Sequence, residues 1–65
     1  MKPKEIFDLI VKADERLKYA TSDKADLRKR QARELLEKAL LEARAIGSGD
    51  LIAQAEWRLA DLEQL

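Results

Sequence analysis

The sequence has no cysteine and no histidine, a single proline, two glycines, and one each of tryptophan, tyrosine and phenylalanine. Each shortage removes a class of chemistry. Without cysteine no disulfide supports the fold, and thiol usage says nothing about the redox compartment. Without cysteine and histidine the usual ligands of zinc, haem and iron–sulfur centres are missing, so neither metal nor cofactor is expected. The hydroxyl side chains of Tyr19, Thr21, Ser22 and Ser48 have no imidazole to activate them, which excludes triad chemistry in its common forms. Glu34 and Glu37 are neighbours on a helix, but Lys38 and Arg33 stand at i,i+4 spacing from them. The two acids therefore read as a solvated charged face rather than an acid–base pair. No catalytic residue is assigned, and the chain is read as non-enzymatic.

Net charge is lacking too. Thirteen basic and thirteen acidic residues cancel, which argues against strong net attraction to nucleic acid or an anionic membrane. The one local excess is Arg28-Lys29-Arg30-Gln31-Ala32-Arg33, and it has no interleaved aromatics. Nucleic-acid binding is not expected from it. No apolar run approaches the roughly 18 residues of a membrane span. The opening MKPKEIFDLIVKADE carries acids inside its apolar stretch and is no signal peptide. Sixty-five residues make one domain, residues 1–65, near the lower limit for folding alone. The expectation is a small soluble domain, cytoplasmic if natural.

What is present is helical periodicity. In QARELLEKALLEARAIG (Gln31 to Gly47), Ala32, Leu35, Leu36, Ala39, Leu40, Ala43 and Ile46 recur at spacings of three and four. They form one broad stripe, whose small members allow a neighbouring backbone to come close. Opposite charges at i,i+4, such as Asp26–Arg30, Arg30–Glu34 and Lys38–Glu42, are expected to pair along the exposed side. The spacing predicts an all-α fold, an antiparallel three-helix bundle with helices over about 3–20, 23–46 and 50–64. The first helix begins at Pro3 and turns Ile6, Leu9, Ile10, Ala13, Leu17 and Ala20 inward; Phe7 and Val11 widen that stripe towards a second neighbour. Ser22 and Ser48 are read as caps and Gly47 as the residue that stops the second helix. The third helix turns Ile52, Ala55, Leu59 and Leu62 inward, leaving Leu51, Ala53, Trp57, Ala60 and Leu65 over.

The first and third helices match. DLIVKADERLKYA (from Asp8) lies over DLIAQAEWRLADL (from Asp50) at an offset of 42 residues, with identities that include Ile10/Ile52, Ala13/Ala55, Arg16/Arg58 and Leu17/Leu59; Asp14/Glu56 is conservative. The centre of the second helix, Ala32-x-x-x-Leu36-x-x-Ala39-Leu40, resembles the second helix of a tetratricopeptide repeat, whose pattern is A-x3-F-x2-A. Arg58-Leu59-Ala60-Asp61-Leu62 resembles the first-helix segment around that family's L-G/A pair, and ARAIGSGD approximates the AR-x-x-G-D ending of its long-repeat variants. Lys18 departs from the pattern where Gly or Ala is usual, the helix-ending proline is absent, and the tryptophan is not at the family's aromatic position. The resemblance implies one and a half repeats in the order helix A, helix B, helix A′. A three-helix bundle without that ancestry shares the fold class.

The resemblance also implies a concave face lined by Lys12, Glu15 and Tyr19 of the first helix and Gln54, Trp57 and Asp61 of the third, where such repeats hold a short peptide. The residues themselves suggest self-association. Leu51, Trp57, Leu62 and Leu65 are expected to form an uncovered face of the third helix, closed by a second copy in a two-fold homodimer. The competing expectation folds Trp57 back towards Tyr19. Two function classes follow: a scaffold or self-associating interaction unit, excised or engineered, and a peptide-binding adaptor.

Overall fold

The computed structural model describes residues 1–64. Three helices account for nearly all of them: α1 (Pro3–Lys18), α2 (Ala25–Ile46) and α3 (Gly49–Glu63), with a short 3₁₀ turn (Ser22–Lys24) leading into α2. No strand occurs among the described residues, and the fold is an all-α three-helix bundle.

α2 is the spine. Its 22 residues span about 33 Å, nearly the full 37 Å of the longest dimension. Ala32, Leu36, Ala39 and Ala43 are completely buried on it, at the spacing the sequence predicts. α1 and α3 both pack on this stripe and touch each other less. The core is completed by Ile6, Ile10 and Ala13 from α1 and by Leu51, Ala55 and Leu62 from α3, with Leu9, Leu17, Leu35, Leu40, Ile52 and Leu59 half-buried around it. The chain exposes 4693 Å², against about 4,200 Å² for a compact monomer of this mass. The shape is open.

The helix ends have local causes. Pro3 occupies the first position of α1, where a missing N–H is harmless, and the Lys2 N–H donates to Glu5 Oε1 at 3.1 Å. α1 ends at Lys18, two residues earlier than expected. Ser22 caps nothing; the 3₁₀ turn closes with Lys24 N–H donating to the Thr21 carbonyl at 3.1 Å, and α2 starts only at Ala25. Such a turn tightens the chain before the wider helix takes over.

The corner between α2 and α3 is two residues long. Gly47 adopts φ +70°, with its N–H donating to the Arg44 carbonyl at 3.1 Å, while the Ser48 N–H reaches the Ala43 carbonyl at 3.0 Å. This pair of bonds is a Schellman ending. Ser48 then caps α3, its Oγ accepting from the Leu51 N–H at 3.5 Å. The two glycines are expected to respond oppositely to alanine. A Cβ on either meets nothing within 4 Å, so only backbone conformation matters. Gly47→Ala forces a left-handed residue and should cost about 1 kcal/mol. Gly49→Ala, in the first turn of α3, should stabilise by about 0.4–1 kcal/mol. Urea titration of both variants checks the pair; equal shifts would mean the corner is not built this way.

The i,i+4 pairs expected along α2 do not form. Among the described residues the ion pairs are Asp14–Arg58, at 3.0 Å, and Arg44–Glu56, at 3.8 Å, both between helices. Exposed pairs on one helix gain little in water and immobilise two long side chains.

Candidate interaction surface

Two regions of the surface combine shape with chemistry, and they lie on opposite flanks of α1. The first is a depression of about 430 Å³ lined by Lys12, Glu15 and Arg16 of α1, by Tyr19 just beyond its end and by Arg28 from the start of α2. Lys12, Arg16 and Tyr19 come within reach of one another because they are spaced by four and three residues. Arg28 joins them because the chain reverses between α1 and α2. Its Nη1 donates to Gln31 Oε1 at 3.3 Å. The Lys18 ammonium stands 5.6 Å from the Tyr19 ring centroid, within cation–π range. A neighbouring hollow of about 340 Å³ continues along the same groove, lined by Arg16, Gln31, Glu34, Leu35 and Lys38. Four cations against two acids make this flank basic.

The second region is on α3. Trp57 is 71% exposed and borders a shallow hollow of about 270 Å³ with Asp14, Arg58 and Asp61. Arg58 anchors this flank. Its Nε donates to Asp14 Oδ1 at 3.0 Å and Oδ2 at 3.1 Å, and its Nη1 to the Gln54 carbonyl at 3.3 Å. Beside Trp57, four and three residues away, Ala53 and Ala60 are exposed as well. α3 carries Asp50, Glu56, Asp61 and Glu63 against the single cation Arg58, so this helix is acidic while the chain as a whole is neutral.

The residues singled out from the sequence are divided between these regions. Lys12, Glu15 and Tyr19 line the basic depression, Trp57 and Asp61 the hollow on α3, and half-buried Gln54 lends its carbonyl to Arg58. Trp57 does not fold back on Tyr19, which is itself 69% exposed. The self-association face needs a larger correction. Leu51 and Leu62 are 7% and 1% exposed and belong to the core, while Leu65 lies outside the described residues. Of that proposed patch Trp57 remains at the surface. Arg16, Arg28 and Arg58 were not singled out as site residues. The matched Arg16/Arg58 pair is the sequence signal for two of them, and the basic run from Arg28 to Arg33 the signal for the third.

Compared with known protein families, curated proteins and solved structures, the chain matches none. Its surface chemistry is therefore what bears on function. Among the described residues, no group of three or more Asp, Glu, His or Cys is placed to hold a metal ion. No helix among them is long and apolar enough to cross a membrane. The basic run at Arg28–Arg33 does not form one stripe, because successive residues leave a helix about 100° apart. Arg28 and Lys29 are half-buried on α2, whereas Arg30 and Arg33 are exposed.

Proposed function

We propose that this chain is a non-enzymatic helical interaction module, a unit of the TPR-like order A–B–A′ that associates with further copies of itself through α3. The observation that carries the reading is the exposure of Trp57, 71% of it open to solvent between exposed Ala53 and Ala60 on a face that no other helix covers. A tryptophan presents a large, rigid apolar body, and side chains of this kind dominate the energetics of protein contacts. The flanking alanines add no bulk, so a partner helix can approach closely. The repeat-like match of α1 and α3 supports the same reading, since repeat units bury their outer faces against neighbours.

Sedimentation across the micromolar range tests it. The weight-average mass is expected to rise with concentration for the parent chain and to stay near monomer for Trp57→Ala, whose helicity should be unchanged because the side chain supports no core contact. A parent that remains a single monomeric species at high micromolar concentration would falsify the proposal.

A further inference from the structure

We infer that the contact is head-to-tail: the exposed side of α3 of one copy, with Trp57 beside Asp14 on one flank and Glu56 beside Arg44 on the other, seats in the basic depression of Lys12, Arg16, Tyr19 and Arg28 on the next. This rests on the self-association proposed above and specifies its symmetry.

Charge decides against the two-fold alternative. Two α3 helices facing each other through Trp57 would bring Asp50 and Asp61, which stand on the tryptophan's side of the helix, against the same two acids of the other copy, and the single arginine of each is already held by Asp14. Like charges across an interface repel, whereas opposite potentials steer and hold partners. The depression between α1 and α2 supplies the opposite sign. Lys12, Arg16 and Arg28 surround it, with Glu15 the one acid in its wall. It also offers the tryptophan a fitting environment, since guanidinium and ammonium groups bind the face of an indole.

The matched helices give an independent argument from register. Arg58 of α3 reaches back to Asp14 of α1. In the 42-residue match the counterpart of Arg58 is Arg16, and the counterpart of Asp14 is Glu56. Asp14 and Arg16 are two residues apart, so they point to nearly opposite flanks of α1; Glu56 and Arg58 do the same on α3. The pattern of arginine reaching back to an acid is thus completed once inside the chain and left open once at each side. Arg16 makes no ion pair among the described residues, and Glu56 has only a loose 3.8 Å contact with Arg44, both side chains more than half exposed. Arg16 of one copy and Glu56 of another complete the pattern. The two surfaces stand on opposite flanks of the same molecule, so neither can satisfy the other within one chain. A contact of this type is heterologous and does not close at two copies.

Two doubly substituted chains separate the alternatives. The first, Glu56→Gln with Trp57→Ala, removes the α3 face and retains the depression. The second, Arg16→Ala with Arg28→Ala, removes the depression and retains the α3 face. All four side chains are outside the core, and circular dichroism checks that helicity is kept. The parent is expected to form a series of species growing with concentration. Each variant alone should associate at least about tenfold more weakly. Their equimolar mixture should form a one-to-one complex and nothing larger. Trp57 of the second variant is then the only tryptophan in solution, and its emission should shift to the blue on mixing. If the second variant associates as the parent does, or if the mixture stays monomeric, the head-to-tail contact is wrong while self-association stands. A monomeric parent overturns both. Salt gives a second readout that needs no substitution. Between about 0.02 M and 0.5 M the screening length shrinks severalfold, so association of the parent should weaken; strengthening would point to the α3–α3 contact with its repelling acids.

Discussion

Leu36→Ala is expected to leave the domain largely unfolded at room temperature. Leu36 is fully buried at the middle of the α2 stripe, among the largest completely enclosed side chains of the chain. Deleting it removes transfer free energy and leaves a void that its neighbours can only partly fill, at a cost of about 2–5 kcal/mol. A domain of this size has a total stability of only about 3–5 kcal/mol, so the loss consumes most of it. Leu41→Ala on the same helix is the control. That side chain is 69% exposed, and truncating it should change stability by about 0.5 kcal/mol or less. Half-buried Leu40 should fall between them. Urea titrations followed by circular dichroism measure the order. A Leu36→Ala variant melting within a few degrees of the parent would mean that the core lies elsewhere.

The opposite substitution is expected to be nearly as severe. Of the ten buried hydrophobic residues among those described, five are alanines: Ala13, Ala32, Ala39, Ala43 and Ala55. Three of them sit on α2, where α1 and α3 both press against it. Small side chains at a helix crossing bring the axes to the near end of the usual 8–10 Å range. Ala39→Leu adds three carbons to a position with no exposed surface to receive them. The helices must separate or the side chain must leave its preferred rotamer, which costs about 1–3 kcal/mol or more. Ala45→Leu makes the same chemical change at an exposed position of α2 and should be tolerated. Similar melting of the two variants would show that the alanines do not set the helix spacing.

Where the sequence was legible, one helix carried its own information. On α2 a single apolar stripe is flanked by charge, and Ala32, Leu36, Ala39 and Ala43 are buried as the spacing predicts. Its last member, Ile46, is 40% exposed, at the terminal turn where the chain leaves for the corner. On α3 the pattern is degenerate. Leu51 and Ile52 are adjacent and both apolar, so the lines 51–55–62 and 52–55–59–62 fit equally well. What selects the first is the position of α1 and α2, information that no window of α3 contains. Leu51 consequently belongs to the core and Ile52 to its margin. The site was legible only in part for a similar reason. Tyr19 and Trp57 stand out as the only residues of their kinds, but that they line different hollows depends on how α1 and α3 are placed on α2, which no local window records. The basic depression needs Arg28 brought back against Lys12 and Arg16 across a chain reversal. Local pairs misled as well, because charge spacing on one helix competes with water, which the spacing does not record.

The two-residue corner after α2 also determines how the molecule can move. Each group that could act as a pivot is committed there: the amides of Gly47 and Ser48 to α2, and the Ser48 hydroxyl and carbonyl to Leu51 and Ile52 of α3. With its corner fastened from both sides, the turn between α2 and α3 has little free backbone to act as a hinge. The link from Tyr19 to Lys24 is six residues long, exposed apart from Ala20, and has no side-chain cap at either helix end. A hinge, or exchange of α1 as an arm between copies, is expected at this link, opposed by the burial of Ile6, Ile10 and Ala13 that seats α1 on α2. The basic depression spans that joint, with Lys12 and Arg16 on α1, Tyr19 in the link and Arg28 on α2. Swinging the arm would dismantle the receptor surface while leaving Trp57 in place on its neighbour, so the two ends of the molecule would be lost at different free energies.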